Sequence, residues 1–357
     1  MTSPAIPSYW ARARISAQVL GRILGLRLSK NALETLTRED AQEVDAFYEE
    51  EKPAPASEKE GPILVTQSDG AGVRLVETGP SERTGHRTSK REAVVTGIYS
   101  VEPYHRSPEE VAEALLREAE EPRPRHVRPK PIAKEVRATL HGKEVAIRRL
   151  SERVELRDGP HTRDRVAITD GDEALREKMA AALPGFTLVL DIKHVSSYLA
   201  AAAKAVHGGW SSSASQAFYR EQLVALLSGK TEAVIDELQA RADRQGLEDY
   251  RRKPVDDAVR YFRNHADSMH YDRYLTRGWP IASGVIEGAC KHVVRGRLDR
   301  SGMKWTREGA QAMLQLRTVH INGDWDDYQR FLRQRQHLKL YGANAPAQPP
   351  ELQALAA

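Results

Sequence analysis

At 357 residues, with 40% apolar and 29% charged side chains, the chain is long enough for about two ordinary domains with apolar cores, which excludes a peptide or a small disulfide scaffold. No stretch approaches the roughly 18 to 20 uninterrupted apolar residues that span a bilayer, and the start, Met-Thr-Ser-Pro-Ala-Ile-Pro-Ser, lacks the parts of a signal peptide. A cytoplasmic protein with no membrane partner is expected. The single cysteine, Cys290, excludes an internal disulfide and a cysteine-built zinc site, and a net charge of +4 selects no partner by itself.

Residues 8–49 carry two amphipathic helical patterns, and 39–51 is an acidic run with seven acids and no base. Pro53, Pro55 and the Ser/Glu/Lys run to Glu60 break the pattern as a linker would. Three strand-like runs follow, 63–68, 73–77 and 92–101, with Gly70-Ala-Gly72 read as a tight turn between the first two, so an antiparallel meander is predicted. Ser107 and Pro108 mark the start of a helix running to about Glu120. The segment 122–137 is rich in proline and carries six bases against Glu135; it reads as a solvated linker, with a phosphate-contacting arm as the alternative. A helix over 142–156 precedes two short apolar strands, 165–169 and 186–190, joined by a helix with Leu175, Met179 and Ala182 on one face. That is a βαβ unit, hence a parallel pair. Val195, Tyr198, Leu199, Ala202 and Val206 recur at helical spacing, 212–272 holds only helical patterns, and a closing helix has its stripe at Val285, Ile286, Ala289, Cys290, Val293, Val294 and Leu298. The expected division is an N-terminal helical segment and linker (1–60), the first part of an α/β core (61–211), an all-helical insertion (212–272), the closing helices of the core (273–340) and a disordered tail (341–357).

Three acids sit where chemistry would want them. Asp69 follows the first strand, Asp170 follows the strand 165–169, and Glu287 lies near the start of the closing helix, at the rim of its apolar stripe. Three carboxylates converging from strand ends and a helix start make a hard-oxygen cage for two Mg²⁺ ions, which activate an attacking water or 3′-hydroxyl and stabilise the leaving oxygen of a phosphodiester. Each acid also has a plain structural role open to it: Asp69 in a hairpin turn, Asp170 as the N-cap of the next helix, and Glu287 in a pair with Lys291.

The blocks 281–294 (IASGVIEGACKHVV) and 301–317 (SGMKWTREGAQAMLQLR) resemble the C-terminal signature of the Kra-type group of bacterial insertion-sequence transposases. The blocks 166–175 (VAITDGDEAL) and 184–208 are similar to its central signature, and VTQSDGAGVRL with KREAVVTGIYSVEP is similar to its first strands. The likeness covers 61 to about 335. It implies an RNase H-like mixed sheet with helices and an all-helical insertion before the last catalytic helix. It further implies a DDE triad of Asp69, Asp170 and Glu287 holding two Mg²⁺ ions, for which Mn²⁺ may substitute, with Asp172 as the rival to Asp170 and Glu92 a further acid nearby. Asp191 and His194 form a marker of the group; a helix N-cap for Asp191 and a packing or DNA-facing place for His194 are expected. Longer members of the group carry DNA-recognition modules ahead of the core, so this chain resembles an N-terminally shortened, non-autonomous copy.

From 288 to 307 six bases, Lys291, Arg295, Arg297, Arg300, Lys304 and Arg307, face only Asp299, a run suited to phosphates beside Glu287. Trp305 within it either stacks on an extruded base or anchors a loop. The expected partner is double-stranded DNA, both transposon ends and target, bound by a homo-oligomer. A DNA-binding remnant that does not cut, and an RNase H-like nuclease or resolvase that cleaves without joining, are the alternatives.

Overall fold

A computed structural model describes residues 29–76, 88–116, 128–210, 212–299 and 303–342. The expectations for 8–28, for the turn of chain beyond Val76, for 122–127, for Arg300 and for the tail from Ala343 lie outside the described residues. In chain order the elements are α1 (Lys30–Ala41), β1 (Ile63–Val76), β2 (Thr88–Val101), α2 (Pro108–Leu116), β3 (Ile132–Thr139), α3 (Lys143–Arg157), β4 (Asp164–Thr169), α4 (Glu173–Ala182) and β5 (Thr187–Leu190). Helices alone follow: α5 (Ile192–His207), α6 (Ser213–Leu227), α7 (Thr231–Arg244), α8 (Asp249–His265), α9 (Tyr271–Thr276), α10 (Gly284–Ala289), α11 (Arg307–Asn322) and α12 (Trp325–Tyr341).

The expected turn at Gly70-Ala-Gly72 does not form, and the two short strands on either side of it are one long strand, β1. The glycines serve cross-strand packing: a Cβ at Gly70 would run into the Glu92 side chain of β2, and one at Gly72 into Lys90. Those two facing pairs also set β1 and β2 antiparallel. A second correction concerns β3, which rises out of the segment read as a basic linker. Its one acid is taken up within the fold, since buried Glu135 accepts a hydrogen bond from Arg153 Nε of α3 at 2.9 Å. Arg157 of α3 donates to both carboxylate oxygens of Glu60, at 2.7 and 2.9 Å, and to the carbonyl of Ala133 in β3 at 2.9 Å.

The sheet order is β3-β2-β1-β4-β5, with β1 parallel to β4, β4 parallel to β5 and β2 antiparallel to β3. This mixed α/β arrangement is the strand order of an RNase H-like core, as the resemblance implies. Strand β1 lies between β2 and β4 and is buried from Ile63 to Ser68, so that Thr66, Gln67 and Ser68 are enclosed along with the apolar Ile63, Leu64 and Val65. One face of the sheet packs Leu64, Val94, Ile98 and Ala167 against α3 and α4. The other packs Ile63, Val65, Val166 and Ile168 against α5, over which α6, α7 and α8 lie. This helical block, with α9 and α10, belongs with the sheet to one compact unit, 54–73 plus 90–297.

The second unit is formed by the described parts of 1–53, 74–89 and 298–357. Its core joins Val44, Phe47 and Tyr48 to Val319, Tyr328, Phe331 and Leu332, so the acidic run 39–51 hides two buried aromatics among its carboxylates. Asp324, buried there, accepts a hydrogen bond from the Tyr48 hydroxyl at 3.0 Å and pairs with Lys52. Trp305 is buried and its backbone bridges to β1, donating to Arg74 O at 3.2 Å and accepting from Val76 N at 2.8 Å. It anchors that segment and offers no open face to a base.

Candidate active site

The parallel register of β1 and β4 pairs Val65 with Val166 and Gln67 with Ile168. Two residues further along both strands stand Asp69 and Asp170, at the same level. Because side chains alternate with a period of two, both project to the face that carries Val65 and Val166, beneath α5 and α10. They are half-buried, and neither has an ion pair among the described residues. Burial pushes the Asp69 carboxyl above its ordinary value, and the charge of Asp170 adds to the rise, while the Cys290 thiol, the Gly70 N–H and the charge of Arg295 act in the opposite sense.

Asp170 is held at its place from two sides. Its carboxylate accepts a hydrogen bond from Asp172 N at 3.0 Å, and its carbonyl accepts one from the Tyr261 hydroxyl of α8 at 2.9 Å. Gly171 is required here: its φ is +92°, and any Cβ would meet the Tyr261 ring. The rival acid, Asp172, is already engaged. It caps α4 by accepting from Leu175 N at 2.7 Å and takes Lys143 Nζ on both oxygens at 2.8 Å. Burial opposes its ionisation, yet Lys143 and the Leu175 N–H outweigh it and hold the carboxyl below the ordinary range.

Glu287 reaches the same face through α10, whose start is fixed by two buried polar side chains. Gln67, two residues before Asp69, accepts from Ile286 N at 2.9 Å and donates to the Tyr99 hydroxyl at 3.1 Å. Asp191, just past β5, caps α5 by accepting from Lys193 N at 2.9 Å and also takes the Ser283 hydroxyl. The expected N-cap is therefore present, and burial raises the Asp191 carboxyl while Ser283 and the Lys193 N–H counter it. The Glu287 carboxylate itself pairs with Lys193 of α5. Past α10 the helix widens into a π-turn, Cys290–Arg295, a distortion common at functional sites. It sets the buried Cys290 thiol on Asp69 and brings Arg295 within electrostatic reach of it; burial first, and then Asp69, drives the thiol's own ionisation upward.

The structure thus brings Asp69 and Asp170 together and places Glu287 on the adjoining helix, tied to Lys193. Among the described residues no group of three histidines, cysteines, aspartates or glutamates is gathered to hold a metal. The donor chemistry nevertheless fits a divalent cation: two facing carboxylates, one raised by burial and further by the other's charge, offer hard oxygens whose repulsion such an ion relieves. Of the expected phosphate contacts, Lys291 and Arg295 are exposed and Arg297 is half-buried on the run that follows Glu287, whereas Lys304 and Arg307 are exposed in the second unit.

Three residues of the site escape a reading by motif: Gln67, Lys193 and Cys290. Gln67 is in phase with Asp69, but Thr66 and Ser68 flank it, so polarity alone does not mark it out.

No protein-family model matches the chain, and no curated protein does. Among solved structures, a chain of the Drosophila P element transposase strand transfer complex is similar at a TM-score of 0.21 and 9% identity, over 92% of this chain and 87% of that one. A likeness at that level does not establish a shared fold or activity.

Proposed function

We propose that this chain is a DDE transposase of the Kra-type insertion-sequence group, cutting DNA strands at transposon ends and joining them to a target by phosphoryl transfer. The observation that carries the reading is the Asp69–Asp170 pair: two facing carboxylates at one level of adjacent parallel strands, half-open to solvent, with a third carboxylate on the helix docked over them. Two divalent cations, Mg²⁺ or Mn²⁺, would supply activation of the attacking hydroxyl and stabilisation of the leaving oxygen. Asp69 and Asp170 would hold them, joined by Glu287 once it leaves Lys193. Released from Glu287, Lys193 has its ammonium free for a phosphate, and Lys291, Arg295 and Arg297 extend the cationic track along the helix that follows. Gln67 and Asp191 act as positioning residues, since they set where α10 begins. The chain is proposed to work as a homo-oligomer on double-stranded DNA in the cytoplasm.

The Glu287–Lys193 ion pair is the observation favouring the alternative, a DNA-binding protein that does not cut. Incubation with nicked and branched DNA in Mg²⁺ or Mn²⁺ separates the readings. Metal-dependent cleavage that drops by about 10²-fold or more in each of Asp69→Asn, Asp170→Asn and Glu287→Gln, the scale of losing an electrostatic stabiliser, supports the transposase; binding without cleavage supports the alternative, and cleavage without strand joining marks a nuclease or resolvase.

A further inference from the structure

On the far side of Gln67 from the carboxylates lies a cavity of about 360 Å³. Arg106, Arg128 and Lys130 supply its positive charge, with Glu102 as the one acid on its lining, and Tyr99, Tyr104 and Trp279 supply aromatic wall. Two buried donors here, Arg106 Nε and Trp279 Nε1, have no acceptor among the described residues. The Arg106 guanidinium donates weakly to Trp279 O at 3.4 Å and stands 5.2 Å from the Tyr104 ring centroid. Burial, and then the neighbouring charge of Arg128, depress it to about 10. A buried guanidinium under the charge of a second arginine, with its own Nε–H and a neighbouring indole N–H unsatisfied, is the arrangement an anion relieves.

The cavity is structurally built. Gly278 has φ +72° and passes against Pro103 and Tyr104, leaving no room for a Cβ, and Tyr104 N donates to Gly278 O at 2.8 Å. It also adjoins the site. Gly284 and Val285, on the turn of α10 that leads to Glu287, line it, and the Tyr99 hydroxyl on its wall receives the Gln67 amide. A volume near the lower end of the roughly 300–1,000 Å³ range of ligand pockets admits one nucleotide and not a base pair.

We propose that this cavity takes a single unpaired nucleotide of a DNA strand, its base against the aromatic wall and its phosphate on Arg106, Arg128 and Lys130. The proposal rests on the reading that the chain acts on DNA, and it adds that the strand entering the carboxylate site is gripped by a base turned out of the duplex. Such extrusion is how proteins reach a base they cannot read within the stack. It gives a place to the basic, proline-rich stretch 128–131, which the carboxylates do not explain.

The test compares binding of an oligothymidylate and of an abasic deoxyribose-phosphate oligomer of equal length to the full chain, with metal-dependent cleavage measured on the same preparations. The unmodified chain is expected to bind the oligomer with bases about tenfold tighter, the effect of one stacked base. Tyr104→Ala, which removes aromatic wall and no charge, is expected to bring the two within about twofold. The exposed pair Arg128→Gln with Lys130→Gln provides a second variant, expected to weaken both oligomers at least about threefold and to lower the salt slope by roughly 0.7 per lost contact. Equal binding of the two oligomers, a preference retained in Tyr104→Ala, or an unaltered salt slope in the double variant overturns the cavity assignment. Cleavage without base preference overturns the cavity alone, whereas base preference without cleavage overturns the catalytic reading and leaves the cavity standing.

Discussion

Strands β4 and β5 each end one residue before an aspartate, in one register, since Thr169 pairs with Leu190, yet Asp170 and Asp191 have opposite surroundings. Asp191 is fully buried, with the Ser283 hydroxyl and the Lys193 N–H on its carboxylate. Asp170 is half-open, takes a single N–H from Asp172, and faces Asp69. An acid enclosed by donors has its energy set by the fold and serves to pin one element to another; here it fixes the start of α10 beside β5. An acid left open against another acid gains little from the fold and much from a cation. The same sequence cue, an aspartate after an apolar strand, thus yields a positioning group in one place and a candidate ligand next door.

The contrast breaks most sharply under substitution. Asp170→Asn is expected to lower cleavage by about 10²-fold or more with little change in unfolding midpoint. Asp191→Ala is expected to act first on stability: it strands the Ser283 hydroxyl and a helix cap, at about 1–3 kcal/mol, read by chemical denaturation, and it lowers cleavage less than Asp170→Asn because it acts only through the placement of α10. Should Asp191→Ala abolish cleavage with stability intact, the two acids are not different in kind.

A smaller effect follows from protonation. The folded Asp69 carboxyl is raised, by burial and then by Asp170, so between an ordinary unfolded carboxyl near 3.9 and that raised value the folded chain binds more protons than the unfolded one. Stability of the metal-free protein therefore falls as pH rises through this interval. Asp69→Asn is expected to flatten the decline in a series of denaturant melts, leaving the share contributed by Asp191, which is also raised. A decline unchanged by Asp69→Asn would mean that the Asp69 carboxyl is not raised in the folded chain.

The smallest effect concerns Lys193. Since it pairs with Glu287, Lys193→Gln is expected to reduce the Mg²⁺ concentration for half-maximal cleavage a few-fold while weakening DNA binding slightly, as one exposed ion pair is worth about 0–1 kcal/mol. An unaltered Mg²⁺ dependence would show that Glu287 is not restrained by the lysine.

Much of the sheet is legible in the sequence where burial is complete. The apolar runs 165–169 and 186–190 coincide with β4 and β5 to within a residue because both are covered on their two faces, and α4 and α5 carry their stripes openly. β3 is hidden because it is rich in charge, and the pairing that lets Glu135 be buried, with Arg153 of α3, leaves no mark in the strand's own sequence. Gly70 and Gly72 mislead because a glycine that makes room for a facing side chain looks, in sequence, like one that turns. For the site, strand-end position singles out Asp170, whereas Asp69, read from the sequence as a strand end, lies inside the long strand β1. The Lys193 tie on Glu287, the Gln67 clamp and the Cys290 thiol on Asp69 are relations between distant segments, and no local pattern carries them.

The most direct test of the central claim, that Asp69 and Asp170 form one cation-binding pair, is a titration of the chain with Mn²⁺ followed by electron paramagnetic resonance, without DNA. Saturable binding that is lost in Asp69→Asn and in Asp170→Asn alike, and kept in Asp172→Asn, is the result expected; binding that survives either of the first two substitutions, or that vanishes with Asp172→Asn alone, would contradict it.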